Sequence, residues 1–499
     1  MPEQKKIVLI MTDSQRWDMV NCYRDTGLKT PYIDKLASEG VKFTSAYTTS
    51  PVCGPARSAI FSGLFPHSNG VVTNSVPYYG NVKSVGQRLQ DNGFHTAYIG
   101  KWHLDGGDYF GMGRCPDGWD AAYWYDMRNY LEELTDDERL LSRQISVSHN
   151  IPETFTFGHR CSNRAIDFLQ NHSDEDFLLV ISYDEPHGPF VCPEPYASMY
   201  QDYTFPKSQN VYDTLQDKPR HQQVWAGDAV NYDRDGIEHN GLFYQAYFGC
   251  NSFVDAEIGR MMDAIDTYAP DTLVIYTSDH GDMLSSHSMG GKGPCAYDEI
   301  TKVPFIIRKP GFISSGINYD QPVSHIDITP TILAYANIPI PKLLEGKSLL
   351  PTCQDTATPV NDVIFMEFGR YEIDHDGFGG FQPMRTAFDG QWKLTVNLLS
   401  SDELYDLKND PDELHNLIND PAVAQTRNDL HDKLLQWIND TRDPFRGYYW
   451  EQRPWRQDAR PATWDYTKMT RQREHEEYEP RQLDYNTGLA MEEAVREKG

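Results

Sequence analysis

The chain has 499 residues, enough for one large core and a smaller appended unit on a scale of roughly 100–200 residues per domain. Hydrophobic residues make up 39%, aromatics 12% and charged residues 24%, which excludes global disorder and a fibrous rod. The 45 basic and 73 acidic side chains leave a formal charge of −28, which argues against nucleic acid or an anionic membrane as partner and means that an anionic substrate needs a locally positive pocket.

The first apolar run, Ile7–Met11, predicts a strand and is too short for a membrane span or a signal-peptide core, so we expect a cytoplasmic protein without membrane contact. Thr30 and Pro31 open a helix that carries Ile33, Leu36 and Ala37 on one face and stops at Gly40. A second helix runs from Ser84 through Val85 and Leu89 to Gly93, and Phe253, Val254, Ile258, Met261 and Ile265 mark a longer one. Between them, His95–Ile99, Phe177–Tyr183, Thr272–Thr277 and Val303–Ile307 read as strands. This alternation predicts an α/β fold, a mainly parallel sheet sandwiched by helices.

Polar residues follow these strands: Asp13 after the first, Lys101 and His103 after the second, His187 after the third, Asp279 and His280 after the fourth. Ligands of open α/β sheets bind at the carboxyl ends of strands, so these distant clusters are expected to converge. Residues 1–350 are assigned to this catalytic α/β domain. Residues 351–442, with strands at Val363–Glu367 and Trp392–Asn397, a turn-rich segment from Glu403 and a helix through Leu430, Leu434, Trp437 and Ile438, form a smaller α+β subdomain. Residues 443–499 are an extension rich in Arg, Pro and aromatics, including Trp450, Trp464 and Tyr466, expected to pack on the body or on a second subunit. The eight cysteines, without a C-x-x-C pair, are expected to be free thiols.

In Cys53-Gly54-Pro55-Ala56-Arg57, the proline suits a first helical turn and puts Cys53 where backbone N–H groups and the helix dipole favour negative charge. Arg57, one turn on, is expected to point back as a bidentate donor to a tetrahedral anion. Taken alone, the segment also fits a buried cysteine near a helix start.

Together with Ile7-Val-Leu-Ile-Met-Thr-Asp13, Thr30-Pro-Tyr-Ile-Asp-Lys-Leu-Ala-Ser-Glu-Gly40, Gly100-Lys-Trp-His-Leu104, Pro186-His187, Thr277-Ser-Asp-His-Gly-Asp282, Gly291-Lys-Gly293, Ser324-His-Ile-Asp-Ile328 and Glu403-Leu-Tyr-Asp406, that segment resembles type I, formylglycine-dependent sulfatases of the alkaline phosphatase superfamily over almost the whole chain. The tail and the segment around Arg370 to His375 look like unsecreted bacterial members. The resemblance implies hydrolysis of a sulfate ester, with Cys53 oxidised to Cα-formylglycine by a maturation enzyme that reads C-x-P-x-R. It implies metal ligation by Asp13, Asp279, His280 and the modified Cys53, with Ca²⁺ first and Mg²⁺ or Mn²⁺ as alternatives. Many relatives have two adjacent aspartates where this chain has Asp13 followed by Ser14 and Gln15, so Ser14 or Gln15 is expected to supply a neutral oxygen. Lys101, His103 and Lys292 match residues that grip the sulfate, and His187 is the expected general acid, being a histidine protonated near neutral pH.

The loops Asp105–Asp120, with Trp119, and Glu367–Phe381, with Arg370, Tyr371 and His375, carry the mixed charge and aromatic rings that suit a sugar. A small sulfated saccharide is the expected substrate. A phosphonate or phosphate ester hydrolase of the same fold and a non-catalytic binder of sulfated sugars are the competing readings.

Overall fold

The computed structural model describes residues 4–78, 82–144, 150–206, 208–227, 241–355, 358–372 and 380–459. Its main sheet has seven strands: β1 Lys6–Thr12, β2 Val41–Phe43, β3 His95–Gly100, β4 Phe177–Ser182, β5 Leu273–Ser278, β6 Phe305–Arg308 and β7 Ile317–Tyr319. Their spatial order is β3-β4-β1-β5-β6-β2-β7. The first four in that order are mutually parallel, β6 is antiparallel to both β5 and β2, and β7 is parallel to β2. The expected run Val303–Ile307 is therefore a strand of the sheet that runs against the others. β2 and β7, three residues each, are too short for their periodicity to stand out in the sequence.

The helices that position the site are α1 Pro31–Ser38, α2 Cys53–Ser62, α3 Val85–Gln90, α4 Phe157–His172, α5 Gly241–Tyr268, α6 Ile328–Tyr335 and α7 Ala424–Asp440. The period of two along β1 sorts them into two layers. Ile7, Leu9 and Met11 join one buried cluster with Ile60 and Phe61 of α2, Val85 and Leu89 of α3, and Ile328 and Ile332 of α6. Val8 and Ile10 join the other with Ile33 and Leu36 of α1, Phe168 and Leu169 of α4, and Val254, Ile258 and Ile265 of α5. This is the predicted sandwich. No helix among the described residues is long and apolar enough to cross a membrane, and none of the eight cysteines forms a disulfide.

A second, antiparallel sheet follows, with strands β8 Ile364–Phe368, β9 Met384–Phe388, β10 Trp392–Asn397 and β11 Glu403–Asp406 in sequential order. The segment expected to be turn from Glu403 onward thus begins with a strand: Leu404 pairs with Leu394, and both are buried under Leu430 and Leu434 of α7. Ala59 of α2 belongs to the same cluster, Phe65 meets Trp437 edge-on at 4.9 Å, and the buried Arg385 guanidinium bonds Asp443, so the C-terminal sheet braces the helix that begins at Cys53. In the extension, Trp450 is buried as expected but Tyr448 and Tyr449 are exposed; Trp464 and Tyr466 lie outside the described residues.

Buried neutral histidines tie this packing to pH. Burial pushes His431, whose Nε2 meets the Trp450 carbonyl at 2.7 Å, down to about 4, with nearby Arg456 adding to the shift. Between pH 6.5 and 4 the unfolded chain binds a proton here that the folded chain refuses, so stability falls as the pH falls through that window, by about 1.4 kcal/mol per pH unit for this one group. Denaturant melts at pH 7, 6 and 5 are expected to show a shallower acid loss for His431→Gln than for the parent by about that amount.

Candidate active site

Four of the parallel strands end at one place. β1 delivers Asp13, β3 Lys101, β4 Asp184 and His187, and β5 Asp279 and His280. Gly100, at φ 123°, makes the turn into Lys101: a Cβ there would lie 1.9 Å from the Ser182 carbonyl oxygen. The N-terminus of α2 opens onto the same edge with Cys53 as its first residue, and all ten residues of this helix are buried. No side chain of the N-cap residue Val52 satisfies the first turn; instead Gly54 N–H donates to Asn74 Oδ1 at 2.8 Å.

Single ligand atoms of Asp13, Cys53, Asp279 and His280 lie within 4.8 Å of one another, all buried. Cys53 Sγ is 3.9 Å from Asp13 Oδ1 and 3.1 Å from His280 Nε2, and Lys292 Nζ donates to it at 2.7 Å. Burial and Asp13 would raise the thiol, but Lys292, His280 and Lys101 outweigh them and bring it to about 6. Asp13 is likewise held well below the carboxylate range, its burial overcome by Lys101, Lys292, His187 and Arg57. Lys101 Nζ pairs with Asp13 Oδ2 at 2.8 Å and Asp184 Oδ1 at 3.0 Å.

Arg57 departs from the expected role. Its Nε donates to Asp279 Oδ2 at 2.9 Å, Nη2 to Asp13 Oδ2 at 3.1 Å, and Nη1 to the Lys101 carbonyl and Ser182 Oγ. Two fully buried carboxylates need this charge beneath them, so the fork is spent on orienting Asp13 and Asp279 rather than on an incoming anion.

Ser14 and Gln15 also separate. Gln15 Oε1 accepts from Thr12 and Tyr276 and its amide donates to Asn251, away from the cluster. Ser14, at φ 61°, donates its hydroxyl to Asp13 Oδ1 at 2.7 Å and its N–H to Asp279 Oδ1 at 3.2 Å, so of the two only Ser14 lies against the cluster of Asp13, Cys53, Asp279 and His280.

His103, also at positive φ, has its ring against Tyr109, and its buried Nδ1 has no hydrogen-bond partner among the described residues. Burial, Lys101 and Arg57 push it down to about 3. His187 Nδ1 meets the Gly188 carbonyl at 2.7 Å and the Tyr109 hydroxyl at 2.9 Å. Burial, Lys101 and Lys292 hold this imidazole well below the ordinary histidine value, so the free site carries it neutral and not, as its residue type implied, protonated near pH 7.

Trp119 is not a substrate residue. It is 5% exposed and packs in the aromatic core, its ring 5.2 Å from Tyr98 and 6.2 Å from Phe61, because Gly86 leaves a seat for it under α3. Tyr371 approaches the site: it is half-buried, its hydroxyl is raised by burial with Lys292 opposing, and its carbonyl accepts from Asn74 N. Arg370 is half-buried next to it, and His375 lies outside the described residues.

Three contributors escaped the sequence reading. Asp184 stands in the segment that carries His187, and its partner, Tyr109, stands in a loop singled out for other residues; the two bond each other and both touch Lys101. Asn74 belongs to no recognisable pattern.

A family model described as sulfatase matches residues 5–338, and one described as N-sulphoglucosamine sulphohydrolase, C-terminal, matches residues 294–440. The chain belongs to the sulfatase family. It is thus a sulfuric ester hydrolase by family. Among its relatives, the sulfatase YidJ of Escherichia coli (strain K12) is 46% identical over 98% of this chain and 97% of its own length. An N-acetylglucosamine-6-O-sulfatase of Bacteroides thetaiotaomicron is 22% identical over 89% of this chain and 87% of its own. The crystal structure of the phosphonate monoester hydrolase of Agrobacterium radiobacter superimposes with a TM-score of 0.74 at 23% identity, covering 88% of this sulfatase and 96% of that chain, which bears out the alkaline phosphatase-like fold.

Proposed function

We propose that the chain hydrolyses the sulfate ester of a small sulfated saccharide, using Cys53 oxidised to Cα-formylglycine by a maturation enzyme, beside one divalent cation held by Asp13, Asp279, His280 and the modified residue 53. The observation that carries this reading is the buried convergence of those four groups at the start of α2, flanked by Lys101 and Lys292.

The donor set fits a cation. Burial and the facing Asp13 push Asp279 up to about 6, a repulsion that a divalent ion removes. His280 Nδ1 lies 2.7 Å from the Gly281 carbonyl, which leaves Nε2 to ligate. Carboxylate oxygens favour Ca²⁺ first, with Mg²⁺ or Mn²⁺ as alternatives. When bound, the ion supplies Lewis acidity at the sulfate, and the hydrated aldehyde supplies one hydroxyl to attack sulfur and a second to expel sulfate.

The chain's own residues do the rest. Lys101 and Lys292 grip the sulfate oxygens from two sides. Asp13, whose Oδ1 lies 3.9 Å from the side-chain sulfur of residue 53, takes the proton of the attacking hydroxyl, and the neutral His103 takes that of the second. Burial and the two lysines hold His187 neutral, and an arriving anionic ester offsets the lysines' share, so the imidazole's affinity for a proton rises with substrate present. Nδ1 is engaged by Gly188 and Tyr109, which leaves Nε2 to protonate the departing oxygen. Tyr371, and Arg370 beside it, flank the entrance for the sugar, and the relative that acts on N-acetylglucosamine 6-O-sulfate supports a saccharide.

His187→Ala is expected to lower kcat/KM on sugar or alkyl sulfates about 10²- to 10⁴-fold, but on 4-nitrophenyl sulfate, whose phenolate leaves unaided, less than about tenfold. Equal losses on both would remove His187 from the acid role. The function itself is tested by peptide mass analysis of protein matured in its native host, together with sulfate release from sulfated mono- and disaccharides. An aldehyde at residue 53 with sulfate released supports the reading. A thiol alone, or an aryl phosphonate cleaved much faster than an aryl sulfate, refutes it.

A further inference from the structure

A cavity of about 250 Å³ opens beside His187, between the loop that carries Tyr109 and Phe110, the start of α4 and the Asp184–Val191 segment. Its walls are mainly apolar and aromatic, with Tyr109, Phe110, Tyr130, Phe157 and Pro189 among them. The Tyr109 hydroxyl bonds both Asp184 and His187, so the cavity shares a wall with the residue placed to protonate the leaving oxygen. With His187 as the acid proposed above, the alcohol side of a bound ester would face it, and the ring of that alcohol would have this space to enter.

Ser142, Arg143, Asp184, Glu185 and His187 interrupt these walls; Asp184 and His187 are engaged by Lys101 and Tyr109, and Arg143 lies over Phe110. Glu185 differs in keeping one carboxyl oxygen unpaired. It is 6% exposed, and Oε1 accepts from Gly158 N–H at 2.9 Å. Oε2 is buried and has no hydrogen-bond partner among the described residues. Gly158 leaves room for this arrangement, since a Cβ there would lie 2.9 Å from both carboxyl oxygens. A helix-start contact explains Oε1 and leaves Oε2 unaccounted for. A buried polar atom without a partner costs free energy unless a ligand completes it. An aromatic leaving group would stack in the cavity and leave Oε2 unpaired. A sugar ring offers an apolar face to the aromatic walls and hydroxyls to the carboxyl, the pairing of apolar surface with a few placed polar groups that sets specificity in ligand pockets.

We propose that this cavity holds the ring of the leaving alcohol and that Glu185, whose Oε2 is buried without a partner among the described residues, turns that oxygen into the cavity to bond a ring hydroxyl and so selects a hydroxylated ring. The inference rests on the sulfatase reading above and makes Glu185 a specificity residue with no part in the sulfur chemistry.

The test compares the matured parent with full-length Glu185→Ala on 4-nitrophenyl sulfate and on the monosulfates of glucose, galactose and N-acetylglucosamine. The ratio of sugar to aryl kcat/KM is expected to fall about tenfold or more in the variant, mostly through KM, as for one lost hydrogen bond to a buried group. One monodeoxy analogue of the preferred sugar sulfate is expected to lose a similar factor with the parent enzyme but not with the variant, and its parent arm stands even if the variant folds poorly. The inference is overturned by equal losses on both ester classes, by a parent enzyme indifferent to every deoxy analogue, or by a parent that cleaves the aryl ester and no sugar. A matured parent silent on every sulfate would instead sink the sulfatase mechanism, and this inference with it.

Discussion

Cys53→Ala protein is expected to fold to the parent's melting temperature within a few degrees and to release no measurable sulfate from any ester. The stability half follows from packing: Cys53 is the first residue of its helix, and the turn it opens is held from outside the side chain by Asn74 on Gly54 N–H and by the Val52 carbonyl on Ala56 N–H. Losing one sulfur atom removes little apolar area, and an alanine relieves the crowding between a thiol of lowered pKa and Asp13. The activity half follows from chemistry, since alanine supplies no nucleophile. Loss of turnover measured by sulfate release, beside an unchanged circular dichroism melt, checks both halves. Residual turnover above about one part in a thousand would move the nucleophile elsewhere.

Arg57 reverses the balance between fold and activity. Arg57→Ala leaves two fully buried carboxylates, Asp13 and Asp279, without the guanidinium that bonds both. Breaking a buried ion pair by removing one partner costs about 3–5 kcal/mol, because the remaining charge is stranded out of water. We expect a clear fall in melting temperature and, with it, lost turnover. Adding millimolar Ca²⁺ is expected to recover part of the stability in the variant and more than in the parent, since the ion supplies charge to the same carboxylates. A variant as stable as the parent in the presence of a chelator would contradict the assigned role. Arg57→Lys is expected to fall between the two, because an ammonium matches only one of the carboxylates that the fork spans.

Much of the architecture can be read from the chain because it is written in local pattern. The runs at Ile7, His95, Phe177 and Leu273 become the four parallel strands at the centre of the site, and each is buried on both faces as a doubly covered sheet requires. Patterning does not give direction or brief pairings. The reversal of β6 depends on which edge its connection reaches, and β2 and β7 are fixed by partners far away in sequence. Glu403–Asp406 reads as turn because of the Asp and Asn that follow it, and is a strand because β10 offers an edge.

At the site, residue types at strand ends fix which groups converge, but not what each one touches. Arg57 could have reached an anion; only the burial of Asp13 and Asp279 decides that it does not. Trp119 sits in a loop of suitable composition, and packing against Tyr98 and Trp102 takes it into the core. Asp184 and Glu185 both precede His187 on one segment, and their different surroundings depend on which way each carboxyl turns from neighbouring positions.

The proposed hydrolysis depends on one shared cation. Crystals of the matured protein grown with Mn²⁺ and measured for anomalous scattering are expected to give a strong peak bonded at once to Asp13, Asp279, His280 and the oxygen of residue 53. A peak bonded to other residues, or none between these four at full Mn²⁺ occupancy of the solution, would contradict the account.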